Sequence, residues 1–195
     1  MKTLEEIYTI MCNTPSDINQ HIPTLKAYAE KCDIITELGI RAPTSLWGFI
    51  AGKPKIINAY DIEHPDHFKP DEIENISIRD VERICKEENI EFNLHIKDVL
   101  ATNIDQTDLL FIDTEHNYYQ MKQELALHSE KVTKYIAFHD VVTWGIRGEV
   151  YGRPNLFVPG IMVAIEEFLF MNRNWRLDSI SYENNGLLVI RKEGV

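Results

Sequence analysis

From residue 33 onward the chain alternates short apolar runs with segments of helical period, and this rhythm most restricts what it can fold into. "DIITELG" reads as a buried strand, "TSLWGFIAG" as a short helix and "KIINAYDI" as a second strand. After a polar stretch with Pro65 and Pro70, "ISIRDVERICKEEN" carries the stripe of an amphipathic helix and "IEFNLHIKD" alternates as a strand does. "TDLLFIDT" is a wholly apolar strand, residues 116 to 131 a helix, and "KYIAFHDV" a fifth strand. Strands joined through helices require right-handed crossovers, so these five belong in a parallel sheet covered on both faces. Residues 160 to 172 then place Ile161, Ala164, Ile165, Phe168 and Leu169 at helical spacing, and "WRLDSISYE" and "GLLVIRK" flank Asn184-Asn185-Gly186. An Asn-Gly pair accepts the positive φ that a tight hairpin demands. The expected fold class is therefore α/β: a doubly wound, mostly parallel, seven-stranded sheet ending in an antiparallel C-terminal hairpin. The hairpin turn is expected to be structural and remote from chemistry.

Two helical stretches precede the first strand, residues 3 to 12 and, after "TPSD", residues 17 to 31. The chain is read as one domain over residues 1 to 195, with N-terminal helices in 1 to 32 and the sheet in 33 to 195. Its 195 residues, 44% of them hydrophobic, suffice for one sizeable core. A net charge of −11 argues against nucleic acid as a partner, since binding a phosphate backbone calls for basic patches. The start, "MKTLEEIYTIMCNTPSD", carries acids early and no long apolar stretch, so neither an export signal nor a membrane span is expected and the cytoplasm is the expected compartment. Cys12, Cys32 and Cys85 are odd in number and widely spaced, as reduced thiols filling space are. The sequon at Asn75 carries no weight without export. A small-molecule substrate is the expected partner, and a homodimer is one option for an oligomeric state the sequence leaves open.

Ligands of such sheets bind beyond the carboxyl ends of the strands, where the strand order reverses. Glu37 lies just before Gly39 at the end of the first strand, Asp61 ends the second and Asp113 the fourth. A dinucleotide would need G-x-G-x-x-G for close backbone approach to its pyrophosphate, whereas this turn has one glycine followed by Pro43 and Thr44. S-adenosylmethionine has no phosphate. One close backbone approach, with carboxylates for its amine and its ribose hydroxyls, suits Gly39, Glu37 and Asp61.

The stretches "TELGIRAPTSLWGFIAGKPKIINAYDI", "DLLFIDTEHNYYQMKQEL", "KYIAFHDVVTWG" and "GIMVAIEEFLFMNRNW", with the closing "NNGLLVIRK", resemble the class I S-adenosylmethionine-dependent methyltransferases. The likeness is to the group related to macrolide and sugar O-methyltransferases and cephalosporin hydroxylase-like proteins, and it runs from about residue 33 onward. It implies a Rossmann-like fold with S-adenosyl-L-methionine as cofactor. By the resemblance Glu37, Gly39 and Ser45 form the methionine-side loop, Asp61 holds the ribose, Asp98 lies near the adenine and Asp113 borders the cofactor. The chain departs from its relatives where Pro43 and Thr44 replace glycines before the serine.

"FIDTEH" and "AFHD" end adjacent strands, so Asp113, Glu115, His116, His139 and Asp140 gather at one rim. Methyl transfer is an in-line displacement that needs an oriented hydroxyl and a proton acceptor. Related O-methyltransferases hold Mg²⁺ with acids at these two strand ends, which makes Asp113 and Asp140 the metal candidates for Mg²⁺ or another divalent cation. His116 or His139 is the candidate catalytic base, since imidazole titrates near neutrality. Plainer roles stand beside these: Asp113 and Asp140 as helix or turn caps, His116 opening a helix, His139 a buried imidazole. Trp47 is read as packing the first helix on the sheet, and Trp144 as the substrate-side aromatic. The functional expectation is an S-adenosylmethionine-dependent O-methyltransferase acting on a small hydroxylated molecule such as a sugar. The alternatives are a catalytically silent binding domain of the same fold and a metal-dependent oxygenase.

Overall fold

A computed structural model describes residues 2–67, 77–150 and 157–195. The Asn75 sequon, part of the polar stretch around Pro70 and part of the loop between residues 143 and 159 lie outside the described residues.

The first helix, α1 (Leu4–Asn13), starts at a capping box in which Thr3 and Glu6 satisfy each other's backbone N–H, and it buries Ile7 and Met11. The expected helix over 17 to 31 is shorter. A single 3-10 turn, Asn19–His21, leads into α2 (Ile22–Ala29). Ser16 Oγ accepts from the N–H of Ile18 and Asn19, and Asn19 Oδ1 accepts from Ser16 N–H, which holds the chain in a turn instead of a helix.

The remaining elements follow in the expected order: β1 (Ile34–Leu38), α3 (Leu46–Ala51), β2 (Ile56–Asp61), α4 (Ile78–Glu87), β3 (Glu91–Ile96), β4 (Thr107–Ile112), α5 (Tyr118–His128), β5 (Val132–His139), α6 (Ile161–Met171), β6 (Trp175–Ser181) and β7 (Leu187–Lys192). They form one seven-stranded sheet in the order β3-β2-β1-β4-β5-β7-β6. β1 to β5 pair in parallel, and β7 lies antiparallel between β5 and β6. The doubly wound fold with its terminal hairpin is as expected.

Residues along the central strands face opposite cores in turn. Leu109 and Phe111 join Trp47, Phe49 and Leu25 under the N-terminal helices, α3 and α4. Leu110 and Ile112 join Phe138, Leu125 and Ile165 under α5 and α6. Trp47 is fully buried in the first core, in its expected packing role, and Phe49 meets Phe111 edge to face with ring centroids 5.5 Å apart. Among the described residues no helix is long and apolar enough to cross a membrane.

Strand order reverses between β1 and β4, and the register there sets the site. Leu38 pairs with Ile112, and Ile112 with Phe138. One residue further along each strand, Gly39, Asp113 and His139 therefore stand side by side at the carboxyl-end rim.

Candidate active site

The turn after β1 is held by contacts with the chain ends of β2 and β4. Gly39 has φ +82°, and a Cβ there would lie 2.1 Å from the Asp113 carbonyl oxygen. The single glycine of this loop is thus required by the close passage of the chain after β4. Asp61 Oδ2 accepts from the N–H of both Ile40 and Arg41 at 2.8 Å, and its Oδ1 accepts from Glu63 N–H at 3.0 Å. Three of a carboxylate's roughly four lone-pair positions are in use. Glu37 is fully buried, accepts from Ser45 Oγ through Oε1 and leaves Oε2 without a partner. Burial, reinforced by Asp113 and Asp61, pushes its carboxyl well above the usual range. Asp98 is exposed at the end of the chain leaving β3 and caps the next turn by accepting from Leu100 N–H at 2.8 Å.

Of the five residues expected at the rim, Asp113, His116, His139 and Asp140 come together, and Glu115 stands exposed outside their cluster. His116 Nε2 lies 2.9 Å from Asp140 Oδ2 and 3.4 Å from Asp113 Oδ1, while its Nδ1 meets Glu149 Oε2 at 2.8 Å. His139 Nδ1 is 3.2 Å from both Asp113 Oδ1 and Asp140 Oδ2, and its Nε2 donates to the Asp17 carbonyl at 3.1 Å. Asp140 Oδ1 is buried and unpartnered. Ligand atoms of Asp113, His139 and Asp140 lie within 4.8 Å of one another. Asp140 holds φ +61°, an uncommon backbone state outside glycine.

Electrostatics follow from this packing. Burial pulls the His116 imidazole down, but hydrogen bonds to Asp113 and Asp140 outweigh it and carry the group up to about 11. His139 is likewise lowered by burial and raised more strongly by Asp113 and Asp140, to about 10. Burial raises Asp113 and Asp140, and the two imidazoles overcome it, so both carboxyls sit below the usual range.

Neither carboxylate caps a helix. Asn117 caps α5 by accepting from Tyr119 and Gln120 N–H, so His116 stands in the loop ahead of the helix and is free to reach the rim. His139 is 1% exposed, whereas His116 is only partly covered, with Trp144 parallel to it at a centroid distance of 6.3 Å. Trp144 therefore adjoins the cluster.

Several contributors carry no signal in the sequence that marks them as such. Glu149 and the Asp17 carbonyl arrive from loops. Glu124 left a trace: it falls on the buried stripe of α5 between Met121 and Leu125, where an apolar residue belongs. Its Oε1 accepts from Thr114 Oγ1 at 2.6 Å and Gln120 Nε2 at 2.8 Å, its Oε2 has no partner, and burial raises it to about 7. The hairpin turn is structural, but it is not remote. The Asn185 carbonyl accepts from Val142 and Thr143 N–H, two and three residues past Asp140, and Asn184 bonds Gln20 N–H and the Ser16 carbonyl on the other side.

No family model matches the chain, and no curated protein does. Solved structures do match over nearly its whole length. An O-methyltransferase from Bacillus cereus in complex with SAH is 13% identical with a TM-score of 0.62, over 97% of this chain and 90% of that one. CalS10, an amino pentose methyltransferase from Micromonospora echinaspora solved with SAM, is 9% identical with a TM-score of 0.55, over 98% and 97%. The O-methyltransferase TomG from Streptomyces achromogenes, in complex with SAM, is 11% identical with a TM-score of 0.55, over 98% and 97%. With its strand order, terminal hairpin and rim, this chain has the fold of these S-adenosylmethionine-dependent methyltransferases.

Proposed function

We propose that this protein transfers a methyl group from S-adenosylmethionine to a hydroxyl oxygen of a small molecule such as a sugar, with a divalent cation assisting. The observation that carries the reading is the contact of two half-sites at the switch point: the Glu37–Gly39 turn lies against Asp113, and Asp113 belongs to the Asp/His cluster.

The residues fit the cofactor in part and the cation well. Glu37 offers a buried, unpartnered oxygen beside the Gly39 turn. Asp61 retains about one lone-pair position for a ribose hydroxyl. Ser45 orients Glu37 within the methionine-side loop, and Asp98 and Asp113 border the adenine and methyl ends of the same rim. For the cation, Asp113 and Asp140 supply carboxylate oxygens, one of them, Asp140 Oδ1, without a partner. A cation bound there lowers the pKa of an acceptor hydroxyl and orients it. In the transfer the acceptor oxygen forms a bond to the methyl carbon, the carbon–sulfur bond breaks with its electron pair going to sulfur, and the acceptor proton must leave. His116 is the more accessible of the two candidate bases, and it would take that proton in the cation-loaded site, where the cation would draw on Asp113 and Asp140, the carboxylates whose pairing otherwise raises His116 to about 11. His139, with both nitrogens engaged in the interior, fixes Asp113 and Asp140 in position.

One observation favours a second reading, a silent binding domain. Asp61 is largely occupied by its own loop, which also has Pro43 and Thr44 in place of glycines. A single experiment separates the two. Incubation with methyl-labelled S-adenosylmethionine and a small-molecule extract is expected to place label on a hydroxyl, with SAH binding measurable by calorimetry. SAH binding without label transfer supports the silent domain, and no binding overturns both.

A further inference from the structure

We propose that Glu149 and His116 form an acid–base dyad in which Glu149 is the positioning residue: it fixes the Nδ1–H form of the imidazole and so makes Nε2, at the rim, the atom that accepts the proton of the substrate hydroxyl. The proposal rests on the reading of His116 as the proton acceptor in methyl transfer. It goes beyond that reading by giving a role to a residue outside the strand ends and by naming the nitrogen that reacts.

The segment that carries Glu149 is docked beside the start of α5 by its backbone. Glu149 N–H donates to the His116 carbonyl at 2.9 Å, Gly148 N–H to the Val158 carbonyl at 2.9 Å and Tyr118 N–H to the Pro159 carbonyl at 2.9 Å. A Cβ on Gly148 would lie 2.7 Å from the Pro159 carbonyl oxygen and 2.9 Å from Asn117 Cβ, so glycine is what lets the segment come this close. From that backbone the Glu149 carboxylate reaches His116 Nδ1 at 2.8 Å, with the two side chains 20% and 19% exposed. Trp144, from the same loop, lies parallel to the ring at a centroid distance of 6.3 Å. The loop that sets one edge of the imidazole thus also borders the ring.

A carboxylate only accepts hydrogen bonds. Nδ1, facing Glu149, therefore carries its hydrogen in both charge states of the ring, and in the neutral ring the lone pair is on Nε2. Nε2 faces the rim, 2.9 Å from Asp140 Oδ2 and 3.4 Å from Asp113 Oδ1. As the acceptor oxygen bonds to the methyl carbon, the hydroxyl proton passes to the Nε2 lone pair and the O–H electron pair stays on oxygen. The imidazolium so formed donates to Glu149 through Nδ1 and to Asp140 through Nε2. Asp113 and Asp140 are shared with His139, whereas Glu149 meets His116 on the opposite edge and stays with the ring whatever those two carboxylates bind. A histidine base held in one tautomer by a carboxylate on its far nitrogen is the arrangement general-base catalysis calls for.

The test uses the full chain with isotope-labelled histidine nitrogens, read by NMR. The wild type is expected to show a slowly exchanging proton coupled to His116 Nδ1, identified by its disappearance in His116→Gln. Glu149→Ala is expected to abolish that signal without unfolding the protein, because the Glu149 N–H still holds the loop to the His116 carbonyl. Glu149→Met, which fills similar space without a carboxylate, should do the same and decides if the alanine variant does not fold. In both, transfer of label from methyl-labelled S-adenosylmethionine to a small-molecule extract should fall roughly a hundredfold or more, with the Kd for SAH unchanged. Glu149→Gln, whose amide oxygen still accepts from Nδ1, should keep the signal and recover part of the rate. A signal unaltered by Glu149→Ala, a transfer rate equal to wild type once the signal is gone, or a Kd for SAH that weakens in step with the rate overturns the proposal. Loss of the signal in Glu149→Ala beside a wild type that transfers no label defeats only the methyltransferase reading, and leaves the dyad standing as the base for another reaction.

Discussion

Asp61 serves its own loop before any ligand, and this changes what its removal should do. Asp61→Ala leaves the Ile40 and Arg41 N–H groups without their carboxylate. Hydrogen bonds to a charged group contribute about 1.5 to 3 kcal/mol each when fully formed. At a half-buried site we expect a loss of roughly 2 kcal/mol in stability, read as a lower melting temperature, together with at least a tenfold weaker Kd for SAH by calorimetry. Asp61→Asn, which keeps one acceptor oxygen, should fall between. An alanine variant that melts like wild type would show that the turn is held by other contacts. Asp140 makes the contrasting case. Its positive φ is well tolerated by asparagine, so Asp140→Asn should fold normally while losing cation binding and methyl transfer and keeping SAH affinity. Loss of SAH binding in that variant would place the cofactor elsewhere on the rim.

The β6–β7 turn is the element whose role departs most from its sequence. Gly186 has φ +92°, and a Cβ there would lie 2.7 Å from Val142 N. Gly186→Val therefore meets both backbone strain and a clash, a cost of about 2 kcal/mol or more, which lowers the melting temperature by roughly 4 to 8 °C. Because Asn185 holds the chain just after Asp140, the variant should also bind the cation more weakly. A stability loss with unchanged cation affinity would return the turn to a purely structural role. The place of the turn was legible but its type was not, since Asn184 and Gly186 take the positive φ and Asn185 does not; the strands were legible too, and their period alone fixed where Asp113, His139 and Asp140 end up. What periodicity cannot show is which distant loops close on a strand end. Glu149, the Asp17 carbonyl and the hold of Asn185 on Val142 all depend on such closures. The Gly39 turn was legible as a special position, but the reason for it, the carbonyl of Asp113, lies across the sheet.

For the whole molecule the buried ionisable groups set a pH profile. Asp113 and Asp140 are held below their ordinary 3.8, so their stabilisation is present above that pH and lost as pH falls through their folded values. His116 and His139 are raised from 6.5 to about 11 and about 10, so theirs is fully present below 6.5 and lost as pH rises toward those values. Glu124, raised from 4.5 to about 7, likewise favours the folded state most below 4.5 and loses that advantage on the way to 7. The metal-free protein should be most stable between roughly pH 4 and pH 6. In chelator, the urea midpoint should be lower at pH 8.5 than at pH 5.5, and Glu124→Gln should narrow the gap. A higher midpoint at pH 8.5 would contradict this balance. The Asn184 side chain reaches the Ser16 carbonyl across 168 residues of sequence and Gln20 N–H across 164. Closing so long a loop is entropically costly and belongs late on the path to the native state. The bracket that sets Asp17 against His139 therefore joins segments far apart in sequence, and it can close only once the β6–β7 turn has formed.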